Sequence, residues 1–73
     1  MDQKGIGILI KERRKSLGVN QQTLADLAGV GINTLVAIER GEGNPHLATL
    51  LSIFEALGLQ LNINVRKISY ETV

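Results

Sequence analysis

The stretch that decides the fold covers residues 20–41 and reads NQQTLADLAGVGINTLVAIERG. Asn20 is a good helix N-cap, and the apolar residues that follow it recur at helical spacing. We therefore predict one helix over Gln21–Ala28 and, after a break at residues 29–31, another over residues 32–40. Two short helices joined by a tight, glycine-containing turn form a helix-turn-helix unit.

Further patterns flank this unit. Apolar residues at helical spacing predict a first helix over residues 6–17, with a basic outer face, and a fourth helix over residues 47–57 that closes the core. After Gly58 the period changes to two, and residues 59–66 alternate apolar and polar as a β-strand does. A fifth helix is the alternative there, but asparagine and β-branched residues have poor helix propensity. The apolar positions of the predicted strand are Leu59, Leu61, Ile63 and Val65.

A lone strand leaves its backbone groups unpaired, and an apolar strand without a partner tends to aggregate. The chain has 73 residues, and a domain of that size buries little core by itself. Both considerations favour a homodimer in which the two strands pair. We therefore expect a mainly α fold: a four-helix domain over residues 1–58, a dimerisation strand over residues 59–67 and a flexible tail over residues 68–73.

The composition argues against several classes of function. The chain has no cysteine, one histidine and no glycine loop followed by lysine and serine or threonine, so we expect neither an enzyme nor a metal site or cofactor. No apolar run approaches the ~20 residues of a membrane span, and the first residues do not form a signal peptide, so a cytoplasmic protein is expected. The net charge is only +1, but five of the eight lysines and arginines lie in the first fifteen residues.

The second helix of a helix-turn-helix unit lies in the major groove of double-stranded DNA, where its first turn reads base edges. Asn33 is the sharpest candidate, because an asparagine amide can pair bidentately with adenine. Ile32, Val36 and Ala37 fall on the same predicted face and can offer only apolar contact. An exposed isoleucine and valine need covering by DNA or by a partner protein, and base discrimination per monomer should be modest.

The remaining DNA contacts are expected at phosphates, from side chains at helix ends and from the basic first helix. A solvated surface is the alternative for the cations of the first helix, and helix capping is the alternative for Gln21. The expected residues are Gln21, Gln22, Thr34, Arg40, Arg13 and Lys15.

A series of short motifs follows in order along residues 6–58. They are Ile6-Gly7, Ile10-Lys11, Arg14-Lys15, Gly18-Val19-Asn20-Gln21, Leu24-Ala25, Gly29-Val30, Thr34-Leu35, Ile38-Glu39-Arg40-Gly41, Asn44-Pro45, Thr49-Leu50 and Ala56-Leu57-Gly58. This series resembles the Cro and phage-repressor type of helix-turn-helix protein, the XRE family. The resemblance implies a lambda-repressor-like domain in a dimeric repressor that binds an inverted repeat in its own promoter. It also implies a pair between Arg14 and Glu39 that ties the first helix to the third.

The predicted strand resembles the tail of the HipB-type antitoxins, whose C-terminal strands pair across a homodimer. This second resemblance implies an antitoxin that also binds and restrains a HipA-like kinase toxin. Two alternatives stay open: a stand-alone phage-type or metabolic repressor without a toxin, and a protein-interaction module that has lost DNA binding.

Overall fold

The computed structural model describes residues 2–65, which form four α-helices and contain no strand. The helices are α1 (Gln3–Ser16), α2 (Gln21–Ala28), α3 (Ile32–Glu39) and α4 (Leu47–Ala56). The predicted mainly α, four-helix fold is therefore confirmed. α1 begins at Gln3 rather than at residue 6, because the Asp2 carboxylate caps it by accepting the Gly5 backbone N–H at 2.7 Å. None of these helices is long and apolar enough to cross a membrane.

The turn between α2 and α3 depends on a glycine in the left-handed conformation. Asn20 caps the start of α2 by accepting the Thr23 backbone N–H at 2.7 Å. At the other end Gly29 has a φ of +68°, which glycine adopts without the strain of a side chain. The next N–H, of Val30, donates to the Ala25 carbonyl at 3.0 Å. These bonds end α2 and turn the chain into α3.

The core draws on all four helices and is aliphatic apart from one phenylalanine. α3 packs against both α1 and α2, and α2 also packs against α4. The buried hydrophobic residues are Ile10, Leu24, Ala25, Leu35, Ile38, Ile53, Phe54 and Leu57. The inner faces of α2 and α3 are thereby held, while Gln22 and Asn33 in their first turns remain exposed.

α1 crosses the end of α3 in close backbone contact at Gly7. A Cβ atom at this position would lie 2.8 Å from the Glu39 carbonyl oxygen and closer still to that of Ile38. Any larger residue would push α1 away from α3, since packed backbones cannot absorb an added carbon at this distance. Gly7 thus allows side chains further along α1 to reach Glu39.

The prediction for α4 is wrong in one respect, the position of two leucines. Ile53, Phe54 and Leu57 are buried, whereas Leu47 and Leu51, which were expected to help close the core, are 60% and 41% exposed. Apolar residues lie on more than one face of this helix, and residues four apart stack on the same face. Leu47 and Leu51 therefore form an apolar stripe on the outside of the domain.

The segment after α4 runs beside an apolar groove. Leu59 and Leu61 line this groove, which has a volume of about 280 Å³, while Ile63 and Val65 are 89% and 101% exposed. A strand needs a neighbour for its backbone hydrogen bonds, and residues 2–65 offer none to this segment. Strand pairing across a homodimer stays a prediction, and residues 66–73, which include the predicted tail, lie outside the described residues.

Candidate nucleic-acid interface

A buried ion pair ties α1 to α3 beneath the helix-turn-helix unit. Arg14 Nε donates to Glu39 Oε2 at 2.7 Å, and Arg14 Nη2 donates to Glu39 Oε1 at 3.0 Å. The two side chains are 10% and 2% exposed. The hydrogen bond to Glu39 raises the pKa of Arg14 above its ordinary value, although burial acts in the opposite direction. These are the two residues that the family resemblance pairs.

The same ion pair reaches the start of α2. Arg14 Nη1 donates to the Val19 carbonyl at 2.9 Å, and the Gln21 amide nitrogen donates to Glu39 Oε1 at 3.2 Å. Together with the Asn20 cap, these bonds hold the first turn of α2 against both α1 and α3. No buried side-chain nitrogen or oxygen in residues 2–65 lacks a hydrogen-bond partner, so the network is complete without a ligand.

The open polar side chains of α3 are Asn33 and Thr34 in the first turn, and Arg40 is exposed at the C-terminal end. Three other predicted contacts are half-buried: Ile32, Val36 and Ala37. Ile32 packs against the core. The expectation of an exposed isoleucine and valine is therefore wrong, since both are half-buried on a helix that packs against α1 and α2.

The start of α3 has no side-chain cap, because its N-cap residue is Gly31. The backbone N–H groups of the first turn consequently have no side-chain acceptor, and they carry the positive end of the helix dipole. In α2 the Asn20 side chain accepts only the Thr23 N–H. Both helices of the unit thus begin with backbone donors of the kind that bind phosphate oxygens.

The residues that were predicted to contact phosphates differ in exposure: some are open to solvent, and one is engaged inside the domain. Arg13 is half-buried, and its Nε donates to the Leu57 carbonyl at 3.0 Å, where the C-terminal end of α4 also favours a positive charge. Lys15 is exposed, and the exposed Gln22 donates to Asp26 Oδ1 at 2.9 Å within α2. Arg13 therefore joins α1 to α4, a role that the sequence did not indicate.

Sequence reasoning missed an apolar surface formed by α1, α4 and the segment after α4. We define this apolar surface as Leu9, Leu47, Leu51 and Leu61, which are 37%, 60%, 41% and 48% exposed. Leu9, Leu47 and Leu61 also line the groove described above. Exposed apolar residues are ordinary when single, but a group of them marks an interaction site. The four-residue spacing of Leu47 and Leu51 was the signal that could have revealed it.

A helix-turn-helix family model matches residues 10–64. Two relatives are each named as an uncharacterized HTH-type transcriptional regulator. The one from Methanothermobacter thermautotrophicus is 44% identical over 50 residues, which cover 68% of this chain and 72% of the relative. The one from Haemophilus influenzae is 43% identical over 58 residues, which cover 75% of this chain and 59% of the relative.

One solved structure is similar in both fold and sequence. It is the crystal structure of the restriction-modification controller protein C.AhdI from Aeromonas hydrophila, with a TM-score of 0.74 and 32% sequence identity. The match covers 78% of this chain and 86% of that chain. Because the helix-turn-helix model also covers more than half of the chain, sequence and structure point to the same family.

Proposed function

Because the chain belongs to the XRE family of helix-turn-helix transcriptional regulators, we propose that it is a repressor that binds a specific sequence of double-stranded DNA as a homodimer. The observation that carries the proposal is the start of α3. Asn33 and Thr34 are exposed there, on a helix whose inner residues Leu35 and Ile38 are buried. A surface of this shape fits the major groove, which admits one α-helix.

In the proposed complex, side chains of α3 contact the bases, and the starts of α2 and α3 contact the phosphates. Asn33 pairs with an adenine, while Val36 and Ala37 pack against a thymine methyl group. Thr34 and the uncapped start of α3 contact phosphates on one side of the groove. The start of α2, with the amides of Gln21 and Gln22, grips the backbone on the other side.

The homodimer is supported by two features outside the reading helix. The apolar surface and the groove beside it need covering, and the segment after α4 extends Ile63 and Val65 into solvent. Pairing of this segment with its copy would satisfy its backbone groups, and packing of the paired strands on the apolar surface would cover Ile63 and Val65. A two-fold dimer carries two reading helices, which reach half-sites about 34 Å apart on the same side of the duplex.

Selection of duplexes from a random pool by the purified protein tests this function. We expect an inverted repeat whose half-site centres lie about 10 base pairs apart. Asn33→Ala should lose the preference at one position of each half-site. Asn44→Ala is the matched control, because it makes the same change at an exposed position in the loop between α3 and α4, outside both α3 and the segment after α4. A pool without enrichment contradicts specific binding, and enrichment of a single unrepeated site contradicts the homodimer.

The regulated gene is a finer part of the proposal. A repressor of its own operon should select a sequence that occurs in its own promoter, and transcription from that promoter should rise when the protein is removed.

The antitoxin hypothesis adds a HipA-like kinase toxin as a second partner, and it rests on the alternating pattern of residues 59–66. A kinase gene next to this one, whose product co-purifies with the chain, would support it. A phage or metabolic gene context would favour the stand-alone repressor.

The alternative from another class is an interaction module that has kept the fold and lost DNA binding. The half-buried Ile32, Val36 and Ala37 leave few polar groups for reading bases. The two functions differ in their response to substitution. Weak DNA binding that enriches no sequence from the pool and is unaffected by changes at Arg13, Gln21 and Asn33 would favour the interaction module.

A further inference from the structure

We propose that Glu39 is a positioning residue for DNA binding, which acts by holding the Gln21 side chain at the start of α2. The inference rests on the proposed function, since Gln21 is placed there as a contact to the DNA backbone. Glu39 itself is buried and cannot touch DNA. Its effect on binding has to pass through a residue that it contacts.

The geometry defines the orientation of the Gln21 amide. A carboxylate can only accept hydrogen bonds, so the Gln21 amide has to turn its nitrogen toward Glu39 Oε1, 3.2 Å away. Glu39 has no freedom to follow a moving glutamine, because Arg14 holds both of its oxygens at 2.7 and 3.0 Å. The anchor that orients Gln21 is therefore rigid and belongs to α3, the reading helix.

Gln21, although it is hydrogen-bonded to Glu39, keeps one side-chain donor for the DNA backbone. An amide nitrogen has two N–H groups, and the bond to Glu39 uses one of them. The second N–H, with the backbone N–H groups that open α2, is available to a phosphate oxygen. An ordered side chain loses less freedom on binding, and immobilising one side chain changes affinity by about twofold to tenfold.

Gln22 offers a comparison within the same helix. It is the next residue, has the same side chain and is exposed, but its amide donates to Asp26 Oδ1 at 2.9 Å. That bond links Gln22 to α2 alone. Glu39 should therefore influence binding through Gln21 and have no coupling with Gln22.

A double-mutant cycle measures this coupling. The dissociation constant is measured for the parent, Gln21→Met and Gln22→Met, each with and without Glu39→Gln, on a duplex recovered by the selection described above. Each value is corrected for the folded fraction, because Glu39→Gln leaves Arg14 with a neutral partner and destabilises the domain. We expect Glu39→Gln to weaken binding by about threefold to tenfold in the parent and in Gln22→Met, but by less than about twofold in Gln21→Met.

Equal losses in all three backgrounds would overturn the positioning role, because a purely structural effect does not depend on Gln21. A parent that retains no duplex would overturn the proposed function and this inference together. If Glu39→Gln does not fold, nuclear magnetic resonance of the parent decides instead. The Gln21 side-chain amide should be as ordered as the backbone of α2, with an order parameter of about 0.85, and an order parameter below about 0.6 would overturn the inference.

Discussion

Replacing Arg14 by methionine removes three hydrogen bonds while keeping the unbranched stem of the side chain. Two of these bonds go to Glu39 and one to the Val19 carbonyl. Glu39 is 2% exposed, so the variant would leave a carboxylate buried without its cation. Loss of one partner of a buried pair costs about 3 to 5 kcal/mol, much of it the penalty of the charge left behind.

This loss is large beside the stability of the whole domain. A chain of 73 residues has an unfolding free energy of about 4 to 11 kcal/mol, at roughly 0.05 to 0.15 kcal/mol per residue. Arg14→Met should therefore lose between about a quarter and all of the stability of the domain. Exchanging both partners, Arg14→Met with Glu39→Leu, should recover most of the loss, because no charge then remains buried.

Urea unfolding followed by circular dichroism measures these differences, with trimethylamine oxide added so that each variant has a folded baseline. Arg13→Met is the matched control. It makes the same change at the neighbouring residue, which is half-buried and donates one hydrogen bond, to Leu57, and it should cost about 1 kcal/mol. A loss in Arg14→Met no larger than that of Arg13→Met would refute the reasoning.

The pH dependence of the pair has a definite sign. Folding raises the pKa of Arg14 above its ordinary value, chiefly through the hydrogen bond to Glu39. A cation with a raised pKa stabilises the fold fully below its unfolded pKa, and this stabilisation is lost only as the pH rises through the folded pKa. The Arg14 charge should therefore contribute the same stability throughout the neutral range. A contribution that fades between about pH 7 and 9 would contradict this assignment.

Three further predictions concern binding and assembly. Asn33→Ala should lose about 1 to 3 kcal/mol of binding free energy on the preferred duplex and relax the base preference at one position. Competition between single-base variants of the selected site measures this preference, and an unchanged preference would remove Asn33 from the base contacts. Lys15→Gln should weaken binding to every sequence and lower the slope of log affinity against log salt by about one unit, and an unaltered slope would place Lys15 outside the interface. Ile63→Pro should yield monomers in analytical ultracentrifugation, because proline cannot donate to a strand ladder, and a surviving dimer would contradict the paired strands.

The elements that could be predicted from the sequence are those with a local signal. α2 and α3 follow directly from Asn20, from the glycines and from apolar residues at helical spacing. The start of α1 could not be located, because its cap, Asp2, precedes the first apolar residue of the repeat. The family resemblance, and not the spacing, pointed to the contact between Arg14 and Glu39.

The burial and contacts of the remaining side chains depend on residues distant in sequence, which the local sequence pattern does not identify. The helical pattern places Ile32 on the outward face of α3, but in the folded chain this side chain packs against the core. Leu47 and Leu51 are as apolar as the core residues, and only packing decides which face of α4 turns inward. Arg13 contacts Leu57, 44 residues away, and no local rule connects the two.

In the proposed function, the small number of base-contacting groups on α3 makes specific binding depend on the homodimer that the apolar surface would form. Because α3 exposes only Asn33 and Thr34 in its first turn, one monomer has few groups with which to discriminate bases. Two linked half-sites multiply a weak preference, since binding of the second reading helix becomes intramolecular. By mass action the DNA must then stabilise the dimer, and loss of the dimer must weaken DNA binding. A substitution in the segment after α4, far from any base, should therefore reduce operator affinity more than it reduces affinity for a single half-site.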